Sequence, residues 1–241
     1  MTVIDLSPVV DAVRAQAATC APRECCGVVV VARGRLRYMP CRNDYNGDDD
    51  TFVLNPEDYA AAEDQGEVIA IAHSHVGLPP FPSMADKVGI EAHGLPWLIV
   101  NHPVGTWSVN EPEGYRAPLI GRPFVHGVLD CYALCRDYYR ETCALDLPDY
   151  PRDDLWWQKP GQNLYLDHFA EAGFVEIDAA DLRPHDGILM QAGADRPNHA
   201  AIHLGDNLIL HHFFGRLSSR DVWGGYWKKC TTHYLRHKSL A

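Results

Sequence analysis

Two domains of different class are predicted for this chain, an α/β sandwich followed by an α+β domain, and three observations predict them. The chain has 241 residues, enough for two domains of ordinary size. Up to about residue 110, helical and strand periods alternate, whereas further on an amphipathic helix precedes a series of strand-like segments. Between them, Asn110-Glu111-Pro112-Glu113-Gly114-Tyr115-Arg116-Ala117-Pro118 is rich in proline, glycine and charge and carries neither period. It reads as a linker over residues 111–118, leaving domains at 1–110 and 119–241.

The elements of the first domain follow in order. A helix is expected over residues 8–19, strands over 28–31 and 36–39, and a helix over 56–64. A strand over 68–72, a helix over 83–92, and strands over 97–101 and 105–109 close the domain. The acidic tract Asp48-Asp49-Asp50 lacks the glycine and distal glutamate of a calcium loop and reads as solvated. In the second domain, Asp130 is a plausible N-cap for a helix opening at Cys131, whose apolar residues recur at helical spacing through Arg140. Residues 182–190 read as a turn leading into a strand, and residues 198–212 as a β-hairpin around Gly205-Asp206-Asn207.

The chemistry of the first domain lies in His73-Ser74-His75, followed after seven residues by Ser83 and three later by Asp86. Two imidazoles one residue apart can converge on one ion, and a carboxylate one loop away completes three ligands. Zinc held by three nitrogen or oxygen ligands keeps a position open for water, the arrangement of a hydrolase rather than a structural site. Ser83-Met84-Ala85-Asp86 also matches a helix-capping box. Capping accounts for Ser83 and Asp86, but not for two histidines flanking a serine. The pattern His-x-His-x7-Ser-x2-Asp, with Glu24 directly before the β-branched run 28–31, resembles the JAMM/MPN metalloproteases. That resemblance implies a cytidine-deaminase-like α/β sandwich, one zinc ion on His73, His75 and Asp86, Glu24 as general base, and Ser83 as a hydrogen-bond donor to the developing oxyanion.

In the second domain, a cysteine in the first turn of a helix is expected to have its thiolate favoured and its pKa lowered by the partial positive charge there. Taken alone, Cys131 is better read as a small buried hydrophobe. The histidine-rich segment 198–212 changes that reading, because a cysteine at a helix start with an oriented histidine on a facing strand is the arrangement of thiol hydrolases. Face alternation leaves the third residue open. A three-residue loop at 205–207 places His211 on the face of His199, and a two-residue turn favours His212. These segments are similar to the papain-like NlpC family, and the resemblance implies Cys131, His199 and His211 as nucleophile, base and orienting residue. Tyr132-Ala133 stands where that family usually has Ser-Gly.

A JAMM-like domain followed by an NlpC-like domain resembles a family of tail tip assembly proteins of long-tailed bacteriophages, over essentially the whole chain. The resemblance implies a role in tail tip assembly among other tail tip proteins, with zinc-dependent amide or isopeptide hydrolysis in the first domain. In the second it implies thiol-dependent cleavage of peptidoglycan stem peptides, a tail protein being the other substrate. A structural assembly factor with little catalysis, and a cellular JAMM-type processing protease, are the alternatives. Twenty-one Lys plus Arg against 32 Asp plus Glu give a net charge of -11, which argues against nucleic acid or an anionic membrane as partner. No apolar run approaches a membrane span, and the start Met1-Thr2-Val3-Ile4-Asp5-Leu6 lacks the basic and long apolar regions of a signal peptide. The expected location is the host cytoplasm during assembly, then the virion tail tip acting in the periplasm. The eight cysteines are expected to be reduced, with no Cys-x-x-Cys pair to nucleate a second zinc site.

Overall fold

The β-branched run 28–31 seeds the first sheet, and its alternation of faces decides what covers each side. The computed structural model describes residues 4–241; residues 1–3, part of the start read against a signal peptide, lie outside the described residues. In chain order the first unit comprises α1 (Val10–Cys20), β1 (Cys26–Ala32), β2 (Arg35–Cys41), α2 (Pro56–Glu63), β3 (Glu67–Val76), α3 (Met84–His93), β4 (Trp97–His102) and β5 (Trp107–Asn110). Its sheet has the order β2-β1-β3-β4-β5, with β3 and β4 parallel and the other pairs antiparallel. Val29 packs with Val10, Val13 and Ala17 of α1, while Val28 and Val30 pack with Ala62 of α2 and Ile90 of α3. The sandwich therefore has three layers, with α1 on one face and α2 and α3 on the other.

β3 is longer than expected. It runs through Val76, so the two histidines are part of the strand instead of following it. Parallel pairing with β4, which places Ser74 opposite Val100 and His75 opposite Asn101, extends it. Since side chains alternate, His73 and His75 lie on the face of Ile71, the side covered by α3, and Ser74 lies on the opposite face.

The chain divides into two units after Arg116. The stretch expected as a linker is hydrogen-bonded at both ends. Glu91 Oε1 accepts from the amides of Glu113 and Tyr115 at 2.7 and 2.9 Å. The carbonyls of Ala117 and Pro118 accept from the buried guanidinium of Arg122.

The second unit comprises α4 (Cys131–Cys143), α5 (Leu164–His168), β6 (Phe174–Glu176), β7 (Gly187–Met190), β8 (His199–Gly205), β9 (Leu208–His211), β10 (Ser219–Val222), α6 (Gly225–Cys230) and β11 (Thr231–His237). Its antiparallel sheet has the order β10-β9-β8-β7-β11-β6. Leu134, Cys135, Tyr138 and Tyr139 of α4 pack on Leu189, Ala200, Ile202, Leu210 and Leu235. Ile188, Met190, Ala201, Ile209 and Trp223 form a second cluster.

The hairpin between β8 and β9 combines features of both loops the sequence allowed. Asp206 and Asn207 form a two-residue turn, both at positive φ. The register then shifts between His203 and Gly205, leaving Leu204 as a bulge. The extra residue restores the parity that a two-residue turn alone would reverse, so His211 pairs with Ala201 and lies on the face of His199.

Candidate functional site

In the first unit, Glu24, His73 and His75 bring potential ligand atoms to within 4.8 Å of one another, and all three residues are buried. Asp86 completes the cluster from α3, with its Oδ1 3.5 Å from His73 Nε2 and its Oδ2 3.3 Å from His75 Nε2. The capping box forms as well. Ser83 N donates to Asp86 Oδ2 at 2.7 Å, and Asp86 N donates to Ser83 Oγ at 3.1 Å. One carboxylate thus holds the helix start and faces both imidazoles, while the hydroxyl proton of Ser83 has no acceptor among the described residues.

The loop over residues 77–82 is fixed from beneath, by Asn101 donating to the Leu78 carbonyl and Ser108 to the Pro80 carbonyl. It presents the Pro79 carbonyl 2.8 Å from His75 Nδ1. A carbonyl only accepts, so Nδ1 of His75 carries a proton, and Nε2 faces Asp86; burial works to lower the His75 pKa, but Asp86, the Pro79 carbonyl and Glu24 outweigh it and raise it. His73 is fully buried, and among the described residues neither of its nitrogens has a hydrogen-bond partner. Phe52 stacks on its ring at 4.7 Å and Trp97 meets it edge-on at 5.4 Å. A carboxylate, Asp86, and two imidazoles that turn nitrogens toward it form a buried set that can share a proton or bind a cation. The nitrogen and oxygen donor set suits a divalent ion such as zinc.

Charge states agree with that crowding. Burial pushes Glu24 up to about 8, opposed by His75 and reinforced by Asp86, Asp50 and Asp48. Burial pushes His73 down to about 4 against the pull of Asp86. For Asp86 burial acts upward but is outweighed by His73, His75 and Ser83, which hold it well below the usual carboxylate range. The acidic tract expected as plain solvated loop borders the site, since the Asp49 carbonyl accepts from the Glu24 amide at 3.0 Å. Ser74, on the far face of β3, accepts from the Cys25 amide at 2.9 Å and so ties the residue after Glu24 to the ligand strand.

In the second unit, Asp130 caps α4 through the Ala133 amide at 2.8 Å. Its other oxygen takes the Gly127 amide and Arg152 Nε, at 2.9 and 2.6 Å. This buried pair fixes the helix start that carries Cys131. The Cys131 sulfur lies 3.2 Å from the Tyr165 hydroxyl and against the backbone of Ala200, the residue after His199. His199 Nε2 is 3.0 Å from His211 Nδ1. His212, the other candidate, is fully buried beside Phe124 at 5.1 Å, away from that hydrogen bond. Trp227 covers the histidine pair, 4.5 Å from the ring of His211 and 5.8 Å from that of His199.

The expectation of a lowered cysteine pKa does not hold. Burial and the neighbouring Asp130 carboxylate raise the Cys131 thiol above its ordinary value, outweighing the helix start. Burial, with His211 and His212 nearby, drives His199 well below its ordinary value. At rest, therefore, Cys131 is a thiol and His199 a neutral imidazole.

The family model for prokaryotic homologs of the JAB domain matches residues 6–112, and the NlpC/P60 family model matches residues 121–236. The first unit is a JAB/MPN domain and the second an NlpC/P60 domain. Across both, the chain is 44% identical over 234 residues to the tail tip assembly protein K of Escherichia phage N15, covering 96% of this chain and 95% of that protein. The chain belongs to the tail tip assembly protein K family. A further protein K, from Escherichia phage lambda, is 39% identical over 186 residues, covering 77% of this chain and 90% of that protein. The desampylase of Pyrococcus furiosus is 34% identical over 84 residues, 32% of this chain and 59% of that protein.

In this protein K chain, Tyr132 has a structural place. Its hydroxyl donates to the Pro148 carbonyl at 2.7 Å, and Arg152 lies over its ring at 5.2 Å. It therefore backs the ion pair that holds the helix start. Sequence reasoning missed Arg152, Tyr165, Trp227 and Asp221, whose Oδ2 lies 3.2 Å from His211 Nε2. Only the return strand after His211 offered a signal: Ser219 pairs with His211, and Asp221, two residues on, points to the same face.

Proposed function

We propose that this protein K homologue is a bacteriophage tail tip assembly protein with two peptidase centres. Its JAB domain hydrolyses an amide or isopeptide bond with zinc, and its NlpC/P60 domain cleaves peptidoglycan stem peptides through a thiol. The observation that supports this reading is that each unit holds its own hydrolytic residues, buried Glu24, His73, His75 and Asp86 in one and, in the other, half-buried Cys131 against the residue after His199, which pairs with His211. Its partners are other tail tip proteins, and its place is the host cytoplasm during assembly and then the tail tip. Among the described residues no helix is long and apolar enough to cross a membrane.

His73, His75 and Asp86 hold the zinc ion. When bound, the ion supplies Lewis acidity toward a carbonyl and toward water. Glu24 accepts the proton of the attacking water and returns it to the departing amine, while Ser83 donates its free hydroxyl proton to the developing oxyanion. In the second unit His199 takes the thiol proton as the Cys131 sulfur attacks the carbonyl, then gives it to the leaving amine. Water releases the acyl group from sulfur in the reverse sense.

The test is digestion of purified Gram-negative peptidoglycan by wild type, Cys131→Ala and His73→Ala, with muropeptides resolved by mass and zinc quantified in each protein. Stem-peptide cleavage is expected in wild type and His73→Ala and lost in Cys131→Ala, with about one zinc per chain lost only in His73→Ala. A wild type that carries zinc yet releases no muropeptide removes the wall-hydrolase half. A purely structural role then becomes the better reading, one to which the neutral resting state of Cys131 and its contact with Tyr165 already lend weight.

A further inference from the structure

The thiol centre as read from sequence ends at His211, but polar contacts continue past it. Beyond the 3.0 Å contact between His199 Nε2 and His211 Nδ1, His211 Nε2 lies 3.2 Å from Asp221 Oδ2, an ion-pair distance at an angle oblique to a straight hydrogen bond. Asp221 is clamped in turn by Arg216, with Nη1 2.9 Å from Oδ2 and Nη2 3.3 Å from Oδ1, and by the Ser219 hydroxyl at 2.9 Å from Oδ1. Burial works to raise the Asp221 carboxyl, but these partners and His211 hold it down to about 2, so it is ionised and can only accept.

That restriction sets a direction. A carboxylate beside His211 Nε2 requires the proton of the neutral ring to sit on Nε2, leaving a lone pair on Nδ1. His211 Nδ1 must then accept from His199 Nε2–H, and the lone pair of His199 falls on its own Nδ1, which has no hydrogen bond among the described residues. Without the carboxylate, His211 is free to carry its proton on Nδ1 and donate to His199. The His199 proton would then sit on Nδ1, and a ring so protonated cannot accept the Cys131 proton. An aspartate that sets the tautomer of a catalytic histidine is a recurring device in hydrolases. Trp227 covers both rings and keeps water from satisfying them instead.

We propose that Asp221, clamped by Arg216, is a positioning residue that fixes the direction of the His199–His211 hydrogen bond and thereby leaves His199 Nδ1 as the proton acceptor for Cys131. The inference rests on the thiol-hydrolase reading for its purpose, but the tautomer claim can be tested without any substrate. In the full-length chain labelled with 15N-histidine, long-range proton–nitrogen spectra at pH 7 are expected to show Nε2–H tautomers for both His199 and His211, assigned by His199→Gln and His211→Gln. Asp221→Asn is nearly isosteric, and Arg216 would hold the amide oxygen and turn its NH2 toward His211. Both rings are then expected to switch to Nδ1–H. Alkylation of Cys131 by iodoacetamide, followed by peptide mass mapping, should slow by roughly ten- to hundredfold in Asp221→Asn, in keeping with loss of a general base, and recover in Asp221→Glu. A wild-type His211 protonated on Nδ1, or tautomers unchanged in Asp221→Asn, would overturn the proposal. Tautomers that switch in a protein that cleaves no peptidoglycan would instead uphold it and count against the wall-hydrolase reading alone.

Discussion

Arg152 shows how much of a reactive residue's position is set by a partner that no motif announces. It is 8% exposed, Asp130 is 3% exposed, and the pair also carries the Gly127 carbonyl and the ring of Tyr132. Replacing Arg152 with Met leaves a buried carboxylate uncompensated, a change that costs on the order of 3–5 kcal/mol when such a pair loses one member. Urea unfolding should show a loss of that size for the second unit, with a smaller loss for Asp130→Asn in the Arg152→Met background. Double replacement removes the stranded charge, so the two effects are not additive. His73, His75, Asp86 and Cys131 could be singled out because spacing and helix capping act over a few residues, whereas Glu24, His199 and His211 were picked out through the resemblance to the two families. Arg152, Tyr165 and Asp221 were not, because each meets its partner only through tertiary register. The charge state of Cys131 was misjudged for a related reason. Its helix position is written in the sequence, whereas the burial that opposes it is a property of the folded unit.

At the level of elements, the hairpin β8–β9 is the most exacting part of the second site. Its two-residue turn and the bulge at Leu204 act together, and only their sum puts His211 beside His199. Deleting Leu204 is expected to move His212 to the face of His199 and His211 to the opposite face, since a shift of one residue exchanges faces. The protein should stay folded yet lose the His199–His211 hydrogen bond and slow Cys131 alkylation, both readable by histidine NMR and peptide mapping. The sequence framed the right choice at this turn but could not count the bulge, which reflects how β9 must pair to reach β10. β3 makes the opposite point. Its length was underestimated, yet the face of its histidines followed from parity alone, and longer pairing with β4 moved neither one.

Across the whole molecule, the two units should answer differently to pH and to metal. His199, His211 and His212 are all pushed below their ordinary values, chiefly by burial, and His212 reaches about 4 from 6.5. A base with its folded pKa below its unfolded one binds fewer protons folded than unfolded between those values. Its contribution is therefore complete above about pH 6.5 and falls away toward pH 4, on the order of 3 kcal/mol for His212. Hydrogen exchange of β8 and β9 should accelerate over that window in wild type and change less in His212→Gln. Chelation followed by zinc readdition is expected to shift only the unfolding transition of the first unit, by mass action on the folded state. Wild type and His73→Ala separate the two cases in one calorimetric scan, since the variant should be indifferent to zinc. On the zinc reading, the unsatisfied ring of His73 has a physiological corollary. A chain that buries an unpaired imidazole until the ion arrives ties its folding yield to the host's free zinc, so infection of a metal-starved cell would draw on a smaller pool of folded protein for every tail it builds.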